Sequence, residues 1–459
     1  MGLHRKKRFK IGWVIVGIGV VVAGVLLYRK LSPQFEKVPP TIEVVGNPHF
    51  TNLKKPIQIV IEDNRGLKYF NVVSIADGEV IKLAEGSDLG GVKRVELNLS
   101  LPKVVGSELT LRIKAIDTSK WHLFAGNKRV KEVKLVVDTK PPVVSPVASS
   151  YAIGRGGSGV AIVKVEDPNL KEGYILINRK YRIELTPFQN WKGYYIALIP
   201  WPLQEQKFSA EVVGVDLAGN RREAHIPFFW RKYRYPEKRI NIPDSFITSV
   251  AVPILERMGL PVPEDRVAIF KEMNEKAREL NEEEIWELTR PLREGRFSQL
   301  EIGRFNPLPG SKREAGFGDF RHYYFHRKEI SEAYHKGMDL AKIPEAPILL
   351  SNPGVVTATK WIGIYGNVTI VYHQLGLYTL YAHMSQFNVK PGERLQPGAV
   401  LGRTGRTGGV LGDHLHFGVY IQGIPVNPLE WMDPNFIKSS ILAVIERARK
   451  VIENEGAIN

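Results

Sequence analysis

Residues 414–421 read HLHFGVYI. Side chains alternate across a strand, so His414 and His416 project from one face while Leu415, Phe417, Val419 and Ile421 project from the other. The second face is wholly apolar and must be core, which leaves the first as a surface carrying two imidazoles. The same alternation in YTLYAHM (378–384) places Leu380 and Ala382 inward and Thr379, Tyr381 and His383 opposite. In GNVTIVYH (366–373), Val368, Ile370 and Tyr372 stand against Thr369, Val371 and His373. Three strands thus each offer histidine on the side away from an apolar set. An antiparallel sheet built from them has a polar, His-lined floor.

Seven of the eleven histidines lie between His322 and His416, and the chain has no cysteine. Thiol nucleophiles, disulfide frameworks, Cys-based zinc ribbons and iron–sulfur clusters are thereby excluded, and any metal site must use His, Asp and Glu. No His is followed by Glu, which removes the H-E-x-x-H zinc helix, and there is no G-x-S-x-G elbow. LGRTGRTGG (401–409) lacks the Lys-Ser/Thr of a phosphate-binding loop and reads as consecutive turns. Upstream stands HKGMD (335–339). A carboxylate with two imidazoles gives zinc three protein ligands and leaves a fourth position for water, the arrangement of a catalytic site. Histidines beyond the ligands are then available as acid, base or oxyanion donor.

From about Gly316 to Trp431 the chain resembles the lysostaphin and LytM-type zinc endopeptidases, which cut peptidoglycan cross-links. FGDFR, HKGMDLA, GNVTIVYH, YTLYAHMS, VKPGERLQPGAVLG, TGRTGG, HLHF and PVNPLEW stand in that family's order. The resemblance implies an antiparallel sheet whose groove holds one zinc ion, with His335, Asp339 and His416 as ligands and His383 and His414 as the catalytic pair. His373 also matches a family position and is given no more than a supporting part next to the ligands or in the groove. Tyr381 and Arg321 are further candidates for the groove. Two positions depart from the family pattern. Its usual Glu after HLHF is Gly418 here, so a support for a ligand is missing or supplied elsewhere. Asp413 replaces a neutral residue directly before the histidine pair and joins the groove candidates, whereas His322 and His326 read as loop residues. The implied chemistry is zinc-assisted hydrolysis of peptidoglycan stem peptides, with one of His383 and His414 acting on water and the other at the oxyanion or leaving amine. A catalytically inactive regulator that binds and activates a separate wall hydrolase, and a structural wall-binding tether, are the alternatives. Retention of all three ligand positions and both histidines favours the enzyme.

The remainder of the chain organises around this domain, expected over 310–435. Ile11 to Tyr28 is an uncharged apolar run, long enough for a transmembrane helix. Arg5, Lys6, Lys7, Arg8 and Lys10 precede it and Arg29 and Lys30 follow, so the positive-inside rule predicts a cytoplasmic tail (1–10) and a single-pass anchor (11–28). That topology places the catalytic domain in the periplasm of a bacterium, tethered to the inner membrane. PPTIEVV (39–45) and PPVVSPV (141–147) recur, as do LRIKAID (111–117) and AEVVGVD (210–216), each pair about a hundred residues apart. Short alternating runs between them predict two seven-strand, immunoglobulin-like β-sandwiches over 39–138 and 141–231. The modest reading of these is as spacers, and envelope proteins are candidate partners for them. Apolar Val267, Phe270, Met273, Ala277, Leu280, Ile285 and Leu288 recur at helical spacing, and a Pro-broken helix is expected over 244–260; together they form a helical connector over 243–300, able to restrain access to the groove. A last amphipathic helix is expected over 439–456. The fold class is therefore mainly β. The formal charge of +16 falls to +9 once the seven basic residues flanking the apolar run are set aside, so nucleic acid is not the partner it suggests.

Overall fold

A computed structural model describes residues 5–46 and 48–458, without the side chains of 5–12, 29 and 456–458. The chain is mainly β and divides into two compact units, Met1–Pro141 with Asp216–Asn220, and Pro142–Val215 with Arg221–Asn459.

The first unit opens with a 27-residue helix, Arg5–Leu31. Among the described residues no helix is long and apolar enough to cross a membrane. In the span expected from Ile11 to Tyr28 the side chain of Ile11, and in the basic flank before it all the side chains, lie outside those described. Two sheets follow. Thr41–Val44, Ile57–Glu62 and Arg94–Leu99 form one; Phe50–Thr51, Lys128–Val137, Glu108–Asp117, Leu67–Ala76 and Glu79–Ser87 form the other, in those spatial orders. Eight strands replace the expected seven, the additional one being the two-residue Phe50–Thr51. Alternate residues Ile57, Ile59 and Ile61 meet Leu109, Leu111 and Ile113 in the core.

The second unit begins with another pair of sheets, here of four strands each. One runs Thr186–Pro187, Tyr194–Pro200, Ser158–Glu166, Val143–Ser149; the other runs Tyr181–Glu184, Leu170–Ile177, Ala210–Asp216, Arg221–His225. A shared local device marks the sequence repeat. Asn127 donates its backbone N–H and its side-chain amide to the two carboxylate oxygens of Asp117 (2.7 and 2.8 Å), and Asn220 does the same to Asp216 (2.8 Å for both). The spacer reading of the second repeat does not hold. Ala161, Val163 and Val165 enter the core between its sheets, but Val160 and Ile162 on the other face join a core containing Trp431, Ile441 and Val444. A strand buried on both faces reads as a continuous apolar run, and GVAIV is one. Ser158 adds a polar tie: its N–H and hydroxyl donate to Glu430 (2.7 and 3.1 Å), and its oxygen accepts from the Trp431 indole (3.0 Å).

The C-terminal sheet has eight strands. Its path is Lys312–Ala315, Met338–Ala341, Leu415–Ile421, Leu377–Ala382, Gly366–Tyr372, Gly354–Ile362, Arg394–Leu395, with Ile424–Val426 paired beside Leu415–Ile421. Every pairing in it is antiparallel. Both faces are covered. Leu415, Phe417, Val419 and Ile421 pack with Phe305 and Trp431, while Ile370, Leu380, Ala382 and Tyr420 pack with Phe270, Met273, Ala277 and Ile285 from the connector. The connector is helical over Asp244–Met258 and Arg266–Thr289. Asp265 caps the second stretch by accepting from Ala268 N–H (2.9 Å), and Gly259, at φ 67°, ends the first. Pro253 sits in the first turn of Val252–Met258, where its missing N–H costs little, so the expected break is instead a wide π turn over Ile247–Ala251. Before the helices, Glu237–Asn241 runs parallel to Phe320–Phe325, which pairs with Lys328–Tyr334.

Candidate metal centre and its groove

Register brings the first cluster together. Asp339 lies opposite His416, and His416 opposite Ala382, so all three share the sheet face that the connector covers. His335 precedes its strand and turns in over the same spot. Its Nε2 stands 3.0 Å from Oδ1 of Asp339 and 3.0 Å from Nδ1 of His416, and that Nδ1 is 2.9 Å from the same oxygen. Gly337 permits this packing, because a Cβ there would lie 2.4 Å from His416 Nε2 and 2.8 Å from the Phe417 carbonyl oxygen.

Proton counting shows what such a cluster can hold. His335 Nδ1–H donates to the Gly316 carbonyl (2.8 Å), which leaves a lone pair on Nε2 facing a carboxylate oxygen. Two acceptors at 3.0 Å repel unless a proton or a cation lies between them. Three donor atoms 2.9–3.0 Å apart approach the ~3.3 Å edge of a tetrahedron with bonds of roughly 2.0–2.1 Å, so the residues fit a zinc-sized ion. His335, Asp339 and His416 could therefore hold a metal. Burial opposes the charge on Asp339, but the two imidazoles outweigh it and hold the carboxyl well below its usual range. Burial pushes His416 down to about 4, which keeps the ring neutral. Its Nε2 is buried without a hydrogen-bond partner.

His383 and His414 stand beside this cluster. Their ring centroids are 4.9 Å apart, and His383 is 5.8 Å from His416. His414 Nε2 is 3.7 Å from Asp339 Oδ1. Alternation alone would have sent His383 to the far face, behind Ala382. Instead the strand ends at Ala382, and His383 takes a left-handed backbone (φ 63°) that swings its ring into the groove. Its Nδ1–H donates to the Thr407 carbonyl (2.8 Å), and His414 Nδ1–H donates to the Gly412 carbonyl (2.9 Å). Each neutral ring thus presents Nε2 as its lone-pair nitrogen. Burial, reinforced by His414 and His416, holds His383 well below the usual histidine range.

Of the remaining expected site residues, Arg321 is in place: its Nη2 donates to Asp339 Oδ2 at 3.1 Å. His373 and Tyr381 are not. Tyr381 lies opposite Phe417 in register, with rings 5.5 Å apart, on the face away from the cluster. His373 is on that side too, bonded to the Pro353 carbonyl (2.8 Å) and Thr379 (2.9 Å), with its ring against Phe305. The expectation failed because both faces of this sheet are buried, so an apolar set no longer marks one inside. Asp413 also turns away, accepting from Thr404 (2.6 Å) and the Glu345 N–H (3.2 Å) to tie two loops. His322 pairs with Glu329 (2.8 Å) and His326 approaches Asp244 (3.7 Å), both outside the cluster.

Sequence reasoning missed Tyr365, whose ring lies 5.5 Å from that of His416. Gly418 explains part of this. A Cβ there would fall 2.8 Å from the Tyr420 ring, so the glycine leaves room for Tyr420, which interacts with Tyr365. The Tyr420 ring stands where an acidic side chain at 418 would compete for space.

Residues 333–428 match peptidase family M23. Over 138 residues the chain is 38% identical to DD-carboxypeptidase/endopeptidase Mpg of Neisseria meningitidis, which covers 30% of this chain and 31% of that protein. Over 98 residues it is 36% identical to peptidoglycan DD-endopeptidase ShyA of Vibrio cholerae, 21% of this chain and 23% of the relative. The chain thus spans about a third or less of the length of these relatives. Among solved structures, the lysostaphin catalytic domain from Staphylococcus simulans is similar over 27% of this chain and 92% of its own (24% identity, TM-score 0.23). A zinc-containing peptidase from Vibrio cholerae is similar over 78% and 86% (13% identity, TM-score 0.27). The sheet that carries the His335, Asp339 and His416 cluster is a peptidase family M23 domain, set at the C-terminal end of this chain.

Proposed function

We propose that this protein is a membrane-anchored, zinc-dependent endopeptidase that hydrolyses the peptide cross-links of bacterial peptidoglycan. The observation that carries the reading is the convergence of His335 Nε2, Asp339 Oδ1 and His416 Nδ1 beside a second pair of histidines. Relatives bearing peptidoglycan endopeptidase names over the same region support the substrate class. Zinc held by those three residues would supply Lewis acidity, activating a water and polarising the scissile carbonyl. His414 is at the more open side of the pair, 16% exposed against 6% for His383. It takes the proton of the attacking water at Nε2 and returns it to the leaving amine. His383, kept neutral by burial, orients the water by accepting from it at Nε2. Arg321 fixes the second oxygen of Asp339 and so the direction of the first.

Membrane anchoring is supported by the helix Arg5–Leu31, whose large apolar side chains from Val14 (59% exposed) to Leu27 (57%) are largely exposed. We place its N-terminus in the cytoplasm of a bacterium and the catalytic domain in the periplasm. The two upstream pairs of sheets are proposed to be immunoglobulin-like domains, a reading supported by their strand orders and by the repeated Asp–Asn clasp.

Zinc stoichiometry of the purified protein, followed by digestion of purified sacculi, tests the reading. One zinc per chain and new peptide ends are expected. No zinc, or bound zinc without new ends, would overturn it.

A further inference from the structure

The groove is not built by the peptidase sheet alone. A cavity of about 340 Å³ beside the cluster takes one wall from the connector, including Phe246 and Arg278. Its lining holds three permanent cations, Arg278, Arg321 and Lys336, against a single carboxylate, Asp339. Lys336 is paired with Glu282, and Arg321 with Asp339. Arg278 is different. Its Nε donates to the Asn274 carbonyl (3.0 Å) and its Nη2 to Asn274 Oδ1 (2.7 Å), both neutral acceptors, and no carboxylate among the described residues pairs with it.

The guanidinium is also held in place. Asn274 is buried and donates to Ser331 (2.9 Å), which donates to Glu275 (2.8 Å), so the nearest linked carboxylate is two bonds beyond the arginine's own partner. Two hydrogen bonds on one edge orient the planar fork, and its remaining N–H groups have no anionic partner among the described residues. A half-buried cation of this kind, fixed before any ligand arrives, suits bidentate capture of a carboxylate.

We infer that Arg278 recognises a free carboxylate on the peptide bound in the groove, so the connector contributes to substrate selection. The substrate class is a peptide with an unblocked carboxylate close to the scissile bond. This rests on the peptidase reading for the identity of the ligand, but it can fail separately.

The test uses the zinc-loaded full chain and one peptide ending in D-alanyl-D-alanine, prepared as the free acid and as the C-terminal amide. Binding is measured by calorimetry for the native protein, Arg278→Gln and Arg278→Lys, with zinc content and thermal midpoint checked in each. The native protein should prefer the acid by about tenfold or more. R278Q should bring the two peptides level by weakening the acid alone, and R278K, which keeps the charge but not the fork, should fall between. Where turnover is measurable, the loss should appear in KM for the acid rather than in kcat. Equal binding of both peptides by the native protein, or no binding of either, overturns the inference. So does a preference that survives R278Q, since the metal would then be its source. Acid-selective binding without cleavage would instead remove the peptidase reading and leave Arg278 standing.

Discussion

Arg321 donates through Nη2 to Oδ2 of Asp339 at 3.1 Å, the oxygen turned away from the two imidazoles. One carboxylate is thus divided between a structural partner and the candidate metal. Arg321→Ala frees Asp339 to rotate and leaves its outer oxygen buried without that donor. Zinc affinity, measured by competition with a chromogenic chelator, should fall about 10–100-fold. An unchanged affinity would mean that the pair is only a surface of the groove.

The two histidines of HLH should separate by function. His416→Ala removes a proposed ligand, so zinc and activity should vanish together. His414→Ala should leave one zinc bound and lower hydrolysis of sacculi by roughly 10²–10⁴. Equal metal loss in both would refute the division of roles.

Gly337→Ala places a methyl 2.4 Å from His416 Nε2 and 2.8 Å from a backbone oxygen, and neither neighbour can retreat cheaply. Metal loading should drop while the fold, followed by far-UV circular dichroism, is kept. Full loading of this variant would show that the sheet has more slack than the contact distances imply.

Glu430 gives a pH dependence remote from the cluster. Burial pushes its carboxyl up to about 7, against 4.5 for the free group. Below both values the two states carry the same proton and the contribution to stability is complete. Between them the unfolded chain alone ionises, so stability falls as pH rises, by at most about 3 kcal/mol. Glu430→Gln keeps an acceptor for Ser158 and has no proton to lose. Its thermal midpoint should change less between pH 5 and pH 8 than that of the native protein, and an identical change would exclude Glu430 as the source.

Removing the connector should not produce a freer enzyme. A fragment beginning at Arg304 would expose Ile370, Tyr372, Tyr378 and Leu380, which pack against Phe270 and its neighbours. It should aggregate or lose near-ultraviolet dichroism. Within the whole chain, Phe270→Ala should cost about 3–5 kcal/mol. A soluble, active fragment would mean that the connector is a dispensable cover.

The site was legible where chemistry sits in short motifs. HKGMD and HLH carry His335, Asp339, His414 and His416, and strand register only had to bring the two together. His383 was legible from its motif but not from its period, because a left-handed residue at the strand end defeats alternation. His373 and Tyr381 were misplaced for a general reason: a sheet covered on both sides has apolar residues on both, so polarity does not say which face is the groove. The same blindness hid the burial of Ser158–Glu166, whose unbroken apolar run was nonetheless a signal. Arg278 lies far from the motifs in sequence and reaches the groove only through tertiary packing of the connector, which no local pattern encodes.

The strand Ser158–Glu166, sandwiched between its own domain's core and the C-terminal helix, ties two seemingly separate domains into one thermodynamic body. Neither can melt without exposing an apolar face of the other. Heating should therefore reveal one cooperative transition for residues 142–459, with no stable partly unfolded species in which the catalytic sheet survives after its neighbour has opened.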